Sequence, residues 1–292
     1  MKIFDYMRPS SLEEVCRLLT QFNGQAKVIA GGTDLLVQMK QEKVNPQGLI
    51  SLRDIPNLSF IRLKPDKSLT IGAMTTLLTI ETSKEILGNF RAIAEAAFWI
   101  GSIQVRSRAT LGGNLCNAAP SADMAPILIA YDAMVSITNG HKDRTISLED
   151  FFTGPGETVL KNGELMKEIS IPPPASSFGA YLKAYRSKMD IALVGVGILA
   201  VFEPEQEICR DLKLVLGAVA PTPIRARESE QMVIGQKLEE ELIDRVSKKA
   251  SEEAKPITDV RSSADYRRTL VKVLSRRALL AARSWAQKGG RR

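Results

Sequence analysis

The stretch Lys27-Val-Ile-Ala-Gly-Gly-Thr-Asp34 decides how the N-terminal part of the chain is expected to fold. Its first four residues form a short β-type run, Gly31-Gly32 follows, and a helix-favouring stretch begins at Asp34. This order predicts a strand, a glycine turn and a helix. The N–H groups of such a turn and the positive end of the helix face one side, so the turn favours an anion.

A second glycine pair stands in Thr110-Leu-Gly-Gly-Asn114, flanked by a hydroxyl and an amide side chain. Backbone N–H groups surround the diphosphate of a dinucleotide only where no Cβ blocks the approach. Each hydrogen bond to a charged group contributes about 1.5–3 kcal/mol, so two such turns could hold one diphosphate without a lysine. The residues alone leave open the alternative that both pairs are ordinary caps or tight turns.

The segments around these pairs alternate between strand and helix patterns. The capping box Ser11-Leu-Glu-Glu14 predicts a helix start, Arg53 to Asn57 is interpreted as a joint between two lobes, and Pro172-Pro-Pro174 predicts a domain boundary. The strands predicted before that boundary span residues 27–30, 49–52, 58–63, 68–71, 133–138 and 169–171. The helices predicted there span 76–87, 90–100 and 123–131, the last capped by Ser121.

Three strand-like runs and two helices are predicted beyond the boundary. The strands of this antiparallel sheet span residues 181–186, 191–202 and 209–218, and the helices span 239–253 and 262–285. A second box, Ser262-Ser-Ala-Asp265, predicts the start of the last helix and places Tyr266, Leu270, Val273 and Leu274 on one face. Gly195-Val-Gly-Ile-Leu-Ala200 matches a dinucleotide motif in letters, but it lies within a strand-like run and is not counted as one.

Composition and charge exclude several classes of function. The 292 residues predict two domains or two lobes, with 44% apolar and 25% charged residues as in ordinary globular proteins. The single histidine, His141, excludes sites that need two histidines. The net charge of +7 comes from residues 261–292, which hold ten Lys or Arg. This basic stretch is interpreted either as a surface for an acidic or polar partner or as a solvated helix face, with no nucleic acid as a partner.

The cellular setting is predicted from what the sequence lacks. The three cysteines, Cys16, Cys116 and Cys209, are far apart and favour reduced thiols. The apolar run 191–202 is shorter than the roughly 20 residues of a spanning helix. The N-terminus carries Asp5 and Arg8 where a secretory signal would be apolar. We therefore expect a cytoplasmic protein without a membrane partner.

Two longer stretches carry a family resemblance. Ile29-Ala-Gly-Gly-Thr-Asp-Leu-Leu-Val-Gln-Met-Lys40 and Arg106-Ser-Arg-Ala-Thr-Leu-Gly-Gly-Asn-Leu-Cys-Asn-Ala-Ala-Pro-Ser-Ala-Asp123 resemble the FAD-binding subunits of the xanthine dehydrogenase and carbon monoxide dehydrogenase (medium subunit) group of molybdenum hydroxylases. The likeness continues in the same order through Ala218-Val-Ala-Pro-Thr-Pro-Ile-Arg225 to Tyr266-Arg-Arg268, so it covers nearly the whole chain.

The resemblance implies an α+β fold in two parts. Residues 1–175 would form a two-lobed FAD-binding domain of the vanillyl-alcohol-oxidase (PCMH) type, with lobes of about 1–55 and 56–175. Residues 176–292 would form a small C-terminal domain like that of the CO dehydrogenase flavoprotein, a three-stranded antiparallel sheet with helices.

The resemblance also implies the cofactor site. Non-covalent FAD would be the only redox group of this chain, with no metal ligands and no catalytic side chain. Its diphosphate would lie between Ile29, Ala30, Gly31, Gly32, Thr33, Asp34, Leu35 and Leu36 on one side and Thr110, Leu111, Gly112, Gly113 and Asn114 on the other. Asp123 would bind near ribityl or ribose hydroxyls, although an aspartate in a first helical turn is also typical of dipole compensation.

Three residues of one strand are implied to lie near the flavin ring. The charge of Lys183 could stabilise reduced flavin, with a solvated strand lysine as the alternative; Tyr185 and Arg186 are similar candidates. The aromatic contact that some relatives make ahead of the second glycine pair is replaced by Ile100, with Trp99 beside it.

The function that the resemblance implies is an electron relay. In this family a molybdopterin subunit hydroxylates the substrate, an iron–sulfur subunit with two [2Fe–2S] clusters passes the electrons on, and the FAD subunit delivers them to NAD or another acceptor. Molybdopterin and [2Fe–2S] would thus belong to partner subunits. The alternative is a self-contained FAD-dependent oxidoreductase of the same fold, which would need its own acid or base near the ring.

Overall fold

The computed structural model describes residues 3–174, 176–203 and 207–289. Its first sheet is parallel and has the strand order β1-β3-β2. The elements of this region are β1 (Asp5–Met7), α1 (Leu12–Phe22), β2 (Ala26–Ile29), α2 (Leu35–Lys40) and β3 (Gly48–Ser51). The strand, glycine turn and helix predicted around Gly31-Gly32 are thus confirmed.

Helix α1 begins as its capping box predicts. The hydroxyl of Ser11 accepts a hydrogen bond from the N–H of Glu14 at 3.2 Å. The Glu14 carboxylate accepts from the N–H of Ser10 at 3.0 Å, one residue earlier than the usual box. Both bonds satisfy N–H groups that a helix start leaves without partners.

A five-stranded antiparallel sheet of order β4-β5-β10-β6-β7 forms the second region. Its strands are β4 (Ile61–Leu63), β5 (Leu69–Gly72), β6 (Met134–Thr138), β7 (Asp143–Ser147) and β10 (Leu165–Ile171). The small pair β8 (Phe152–Gly154) and β9 (Glu157–Thr158) follows a 3-10 helix, Glu149–Phe151. The helices are α3 (Leu77–Thr82), α4 (Lys84–Asn89), α5 (Arg91–Phe98), α6 (Ile103–Arg106), α7 (Leu111–Cys116) and α8 (Met124–Ala130).

Three predictions for this region need correction. The helix predicted over residues 76–87 is two helices, because Ser83 is extended and its hydroxyl caps α4 by accepting from the N–H of Ile86. The strand predicted over 58–63 begins only at Ile61 and ends at Leu63. Ser121 does not cap α8; Asp123 occupies the N-cap position without a side-chain cap bond.

The third region is built on a sheet of order β11-β12-β13-β14, with β15 also paired to β13. The predicted antiparallel strands are confirmed as β11 (Ser177–Ala184), β12 (Val194–Phe202) and β13 (Ile208–Gly217); the two-residue strands β14 (Ile224–Arg225) and β15 (Gln236–Lys237) raise the number from three to five. Helices α9 (Arg227–Gln231), α10 (Glu240–Glu253) and α11 (Ala264–Gln287) cover it. The domain boundary predicted after residue 175 involves Ala175, which lies outside the described residues.

The N-cap of helix α11 lies one residue later than predicted, and the helix buries a different face. Ser263, not Ser262, is its N-cap and accepts from the N–H of Tyr266 at 3.2 Å. Tyr266 is 54% and Val273 37% exposed, so the predicted apolar face is wrong at these two positions. Packing against the sheet and α10 selects another face, on which Arg267, Val271, Leu274, Ser275, Ala278, Leu279 and Ala282 are buried.

Gly197 of β12 and Gly217 of β13 bring the third region into direct contact with α8. A Cβ on Gly197 would lie 2.7 Å from the carbonyl carbon of Pro126, and one on Gly217 would lie 2.7 Å from the Pro126 ring. Gly197 therefore serves strand-to-helix packing, while Gly195 makes room for Tyr181, since a Cβ there would lie 2.5 Å from the Tyr181 hydroxyl oxygen. Rejecting these letters as a dinucleotide motif is consistent with their place inside β12. Across the described ranges, no helix is both long enough and apolar enough to span a bilayer.

Candidate cofactor site

A cavity of about 770 Å³ lies where the three regions meet. Its volume falls within the roughly 300–1,000 Å³ of small-molecule and cofactor sites. It is bounded by the end of β2, the start of α2, the start of α7, Asp123 and Lys183. Residues that are far apart in the sequence therefore surround one space.

Most of the residues predicted for the cofactor line this cavity. These are Ala30, Gly31, Gly32, Thr33, Asp34, Leu35, Thr110, Gly112, Gly113, Asn114, Asp123 and Lys183. Three predicted residues do not line it. Leu111 is fully buried in the core of the second region, Leu36 is 42% exposed on the surface, and Ile29 ends β2.

The first glycine segment offers free hydrogen-bond donors. Gly32 has φ +73°, a conformation that favours glycine. Among the hydrogen bonds formed within the described residues, none has the N–H of residues 31 to 35 as its donor; the first N–H used is that of Leu36, which donates to Gly32 O at 3.1 Å. Five successive N–H groups beside the cavity are thus available to a ligand, as an anion site requires.

The second glycine segment differs from the prediction. It is the first turn of α7, with Thr110 as N-cap, and the four N–H groups of Leu111 to Asn114 are all used within the protein. Leu111 N donates to Thr75 O at 3.0 Å, Gly112 N to Ala73 O at 2.8 Å, Gly113 N to Thr110 Oγ1 at 3.1 Å and Asn114 N to Thr110 O at 2.9 Å. Glycine is required at 112 for packing, because a Cβ there would lie 2.8 Å from Ala73 Cβ.

The two segments are packed directly against each other. A Cβ on Gly31 would lie 2.0 Å from Arg108 O, so only glycine allows this approach. A Cβ on Gly113 would lie 3.9 Å from Ala30 Cβ, which is ordinary contact. The position of the free N–H groups is therefore fixed by the backbone just before α7.

Beside this cavity, Asn114 has a buried side-chain oxygen without a hydrogen-bond partner among the described residues. Its Oδ1 is buried and accepts no hydrogen bond from the part of the chain that the structure describes. An unpaired buried carbonyl oxygen costs on the order of 1–3 kcal/mol, so such atoms generally have a partner in the functional state. Free N–H groups, an unpaired amide and glycines that allow close approach fit a dinucleotide with a diphosphate and hydroxyl groups.

Asp123 and Lys183 form a buried ion pair at another part of the lining. Lys183 Nζ lies 3.0 Å from Asp123 Oδ2 and donates to Trp99 O at 3.0 Å, while the Tyr181 hydroxyl donates to Asp123 Oδ1 at 2.6 Å. Burial raises the pKa of Asp123, and Lys183 and Tyr181 partly oppose the rise. Lys183 is not a solvated strand lysine, because its charge is already paired.

Two further groups in the lining have shifted pKa values. Burial raises the pKa of the Cys116 thiol to about 12, so it remains protonated at neutral pH. Partial loss of water raises the pKa of the Asp34 carboxyl, which stands beside the free N–H groups. The Cys116 thiol is therefore not poised as a base at neutral pH.

Several lining residues have no signal in the sequence. Met189, Asp190 and Ile191 come from the loop before β12, and Glu164 to Met166 from the start of β10. Ile100, which the resemblance places ahead of the second glycine pair, lines the cavity together with Gly101 from the turn after α5. Tertiary packing alone brings them together. Tyr185 and Arg186 do not line the cavity: the Tyr185 ring packs 5.1 Å from that of Trp99, and Arg186 pairs with Asp190 at 2.6 Å.

Comparison with known families identifies the fold and the cofactor. The family model of the FAD binding domain in molybdopterin dehydrogenase matches residues 2–174, and that of the CO dehydrogenase flavoprotein C-terminal domain matches residues 179–282. The chain belongs to the FAD subunits of the molybdenum hydroxylases. Its relatives are oxidoreductases of the xanthine and carbon monoxide dehydrogenase type.

Relatives of this FAD subunit match it over nearly their whole length. The glyceraldehyde dehydrogenase medium chain of Sulfolobus acidocaldarius is 33% identical, over 94% of this chain and 96% of its own. The carbon monoxide dehydrogenase medium chain of Hydrogenophaga pseudoflava is 32% identical, over 97% and 98%. The xanthine dehydrogenase FAD-binding subunit of Escherichia coli O157:H7 is 31% identical, over 95% of each.

Solved structures agree with this assignment. Carbon monoxide dehydrogenase from Hydrogenophaga pseudoflava superposes with a TM-score of 0.93 at 32% identity, covering 98% of both chains. Quinoline 2-oxidoreductase from Pseudomonas putida 86 superposes with a TM-score of 0.91 at 29% identity, covering 98% and 99%. The predicted family, the α+β fold and FAD as the cofactor are confirmed.

Proposed function

We propose that this FAD subunit takes electrons from the [2Fe–2S] clusters of a partner subunit and delivers them to NAD or another acceptor. The observation that carries the proposal is the cavity with the unpaired N–H groups of residues 31 to 35 on its wall. Bound FAD supplies the redox chemistry, because a flavin exchanges electrons both singly and in pairs. The protein then has to bind, orient and shield it.

Binding of the diphosphate is assigned to the first glycine segment. Hydrogen bonds to a charged group contribute about 1.5–3 kcal/mol each, so several of the free N–H groups together hold the cofactor without a cation. The second segment contributes side chains instead: the Thr110 hydroxyl, which keeps its proton to donate, and the Asn114 amide. We retain Ile29, Leu36 and Leu111 as residues that shape these segments from behind the lining.

Orientation at the far side of the cavity is assigned to Asp123 and its partners. Tyr181 and Lys183 fix both carboxylate oxygens, so Asp123 presents a rigid group to the ribityl or ribose hydroxyls. Lys183 acts through this pair rather than as a free cation. The pair is 7% or less exposed, so water has little access there.

The partner subunits that we propose are inferred from the names of the relatives. Their names describe medium chains and FAD subunits of larger dehydrogenases. We propose a complex with an iron–sulfur subunit and a molybdopterin subunit, in which this chain performs no hydroxylation. We further propose that the chain divides into two domains, residues 1–175 and residues 176–292. We also propose a cytoplasmic location, which the three free thiols support.

The test is to compare the purified chain with the complex isolated from its source. We expect the chain alone to bind FAD and to be reoxidised by NAD or an artificial acceptor after chemical reduction, but to oxidise no purine, aldehyde or carbon monoxide. The complex should oxidise one of these. Turnover of such a substrate by the chain alone would support the self-contained oxidoreductase and overturn the proposal.

A further inference from the structure

The turn formed by Trp99, Ile100 and Gly101 follows α5 and reaches the cavity. Ile100 and Gly101 belong to the lining, and Trp99 O receives Lys183 Nζ at 3.0 Å. Gly101 has φ +51°, so the chain reverses sharply here. This 99–101 turn therefore forms the wall beside the Asp123 and Lys183 pair.

The carbonyl oxygens of all three residues are bound by buried cations. Lys183 reaches Trp99 O from β11, and Arg106 Nη1 reaches both Ile100 O and Gly101 O at 3.2 Å from α6. Carbonyl groups at the end of a helix carry partial negative charge, so cations stabilise them. The two cations approach the turn from different elements, and each of its three carbonyl oxygens accepts a hydrogen bond from one of them.

Arg106 is itself held in place. Its Nε lies 2.6 Å from Glu81 Oε2, its guanidinium carbon lies 5.4 Å from the centre of the Phe98 ring, and its side chain is 8% exposed. Nη2 adds a longer contact of 3.4 Å to Glu81 Oε1. A two-point contact between Arg and a carboxylate fixes the plane of the guanidinium, which lysine cannot do.

Neither Arg106 nor Glu81 lines the cavity. We propose that Arg106 and Glu81 are a positioning pair. They hold the 99–101 turn in place and thereby fix the position of the cavity wall that faces the flavin ring. This inference rests on the proposed function, because it takes the cofactor of this cavity to be FAD with its ring at this wall. Arg106 acts through the turn and touches no reacting atom.

The test uses the full chain with Arg106→Gln, Arg106→Lys and Glu81→Gln, and Arg91→Gln as the matched control. Arg91 forms an exposed pair with Glu95 on α5, the helix that leads into the turn. The measurements are FAD affinity by titration, the visible circular dichroism of the bound flavin, and the unfolding midpoint without FAD. The dichroism reports the wall around the ring, which a loss of folding stability alone does not alter.

We expect Arg106→Gln to weaken FAD binding roughly tenfold and to change the visible dichroism, because the 99–101 turn loses the side chain that holds its carbonyl oxygens in place. Arg106→Lys and Glu81→Gln should give smaller changes of the same sign, and Arg91→Gln none. Unchanged affinity and dichroism in the folded variants would overturn the inference; if Arg106→Gln does not fold, the two conservative variants decide. Failure of the unaltered chain to bind FAD would instead overturn the proposed function.

Discussion

Lys183 and Asp123 form an ion pair 3.0 Å long in which the two side chains are 1% and 7% exposed. The pair joins β11 of the third region to the start of α8 in the second. A charge buried without its partner costs several kcal/mol, so each residue depends on the other. The first prediction follows from this dependence.

Replacing Lys183 with Met should destabilise the chain by about 3–5 kcal/mol, because Asp123 is left buried without its cation. The double variant with Asp123→Asn should recover most of this loss, since it removes both charges. Urea unfolding at neutral pH measures the free energies. A Lys183→Met chain as stable as the unaltered one would show that the lysine serves the ligand only.

Lys167 provides the control for this experiment. Its ion pair with Asp143 is 2.8 Å long, but the two side chains are 35% and 47% exposed. Exposed pairs contribute about 0–1 kcal/mol, so Lys167→Met should change the free energy of unfolding by no more than that.

The second prediction concerns the contact between the glycine segments. Gly31→Ala should abolish FAD binding, because its Cβ would lie 2.0 Å from Arg108 O and would force the segments apart. Gly88→Ala is the control: it meets no atom within 4 Å and lies within α4, so it should leave binding unchanged and raise stability by about 0.5–1 kcal/mol. The measurement is the flavin absorbance retained after gel filtration. A yellow Gly31→Ala chain would show that the segments can separate without loss of the site.

The third prediction sets stability against binding at Asn114. Asn114→Leu removes the unpaired buried Oδ1, so the chain without FAD should become more stable by about 1 kcal/mol, while FAD binding should weaken roughly tenfold. Thermal unfolding and FAD titration measure the two effects separately. If both quantities fall, Asn114 serves the fold rather than the cofactor.

The fourth prediction is a pH dependence at Asp259. The N–H of Arg261 and the guanidinium groups of Arg267 and Arg261 lower the pKa of Asp259 from 3.8 to about 2. A lowered folded-state pKa gives stability that is present above the unfolded value and lost as the pH falls through the folded value. The stability that Asp259→Asn removes should therefore be constant above pH 5 and shrink between about pH 4 and pH 2.

Asp265→Asn is the control for this effect. Asp265 is 95% exposed in its pair with Arg268, so its replacement should have little effect on stability at any pH. Chemical unfolding at several pH values measures the difference from the unaltered chain. An Asp259→Asn difference that does not change between pH 5 and pH 2.5 would contradict the prediction.

The sequence predicted the elements with strong local signals. The capping box at Ser11 and the glycine turn at Gly31-Gly32 stand where their patterns place them. The three long strands of the third region are present, although β11 begins four residues before and β12 three residues after its predicted start. Local signals of this kind need no knowledge of the rest of the chain. Ser83 was missed as a break because one serine within a helical pattern is usually tolerated.

The sequence predicted many of the residues that line the site, but not the hydrogen bonds and ion pairs that they form. Both glycine pairs have the same letters, yet only the first has free N–H groups, because the N–H of Gly112 donates to Ala73 O and that of Gly113 to Thr110 Oγ1. Lys183 looks like a solvated strand residue until the fold places Asp123 beside it. The lining residues Met189 and Asp190 carry no local pattern at all, so only tertiary structure could supply them.

The unequal use of the two glycine segments bears on redesign of the chain for another nucleotide. The backbone from Leu111 to Gly113 is already committed to the scaffold, and Leu111 and Gly112 are tightly packed, so a mutational library at these two positions would mostly return misfolded chains. The N–H groups of residues 33 to 35, in contrast, form no hydrogen bond within the described part of the chain. A search for altered ligand preference should therefore vary the side chains of the first segment and leave its glycines, and the whole second segment, as they are.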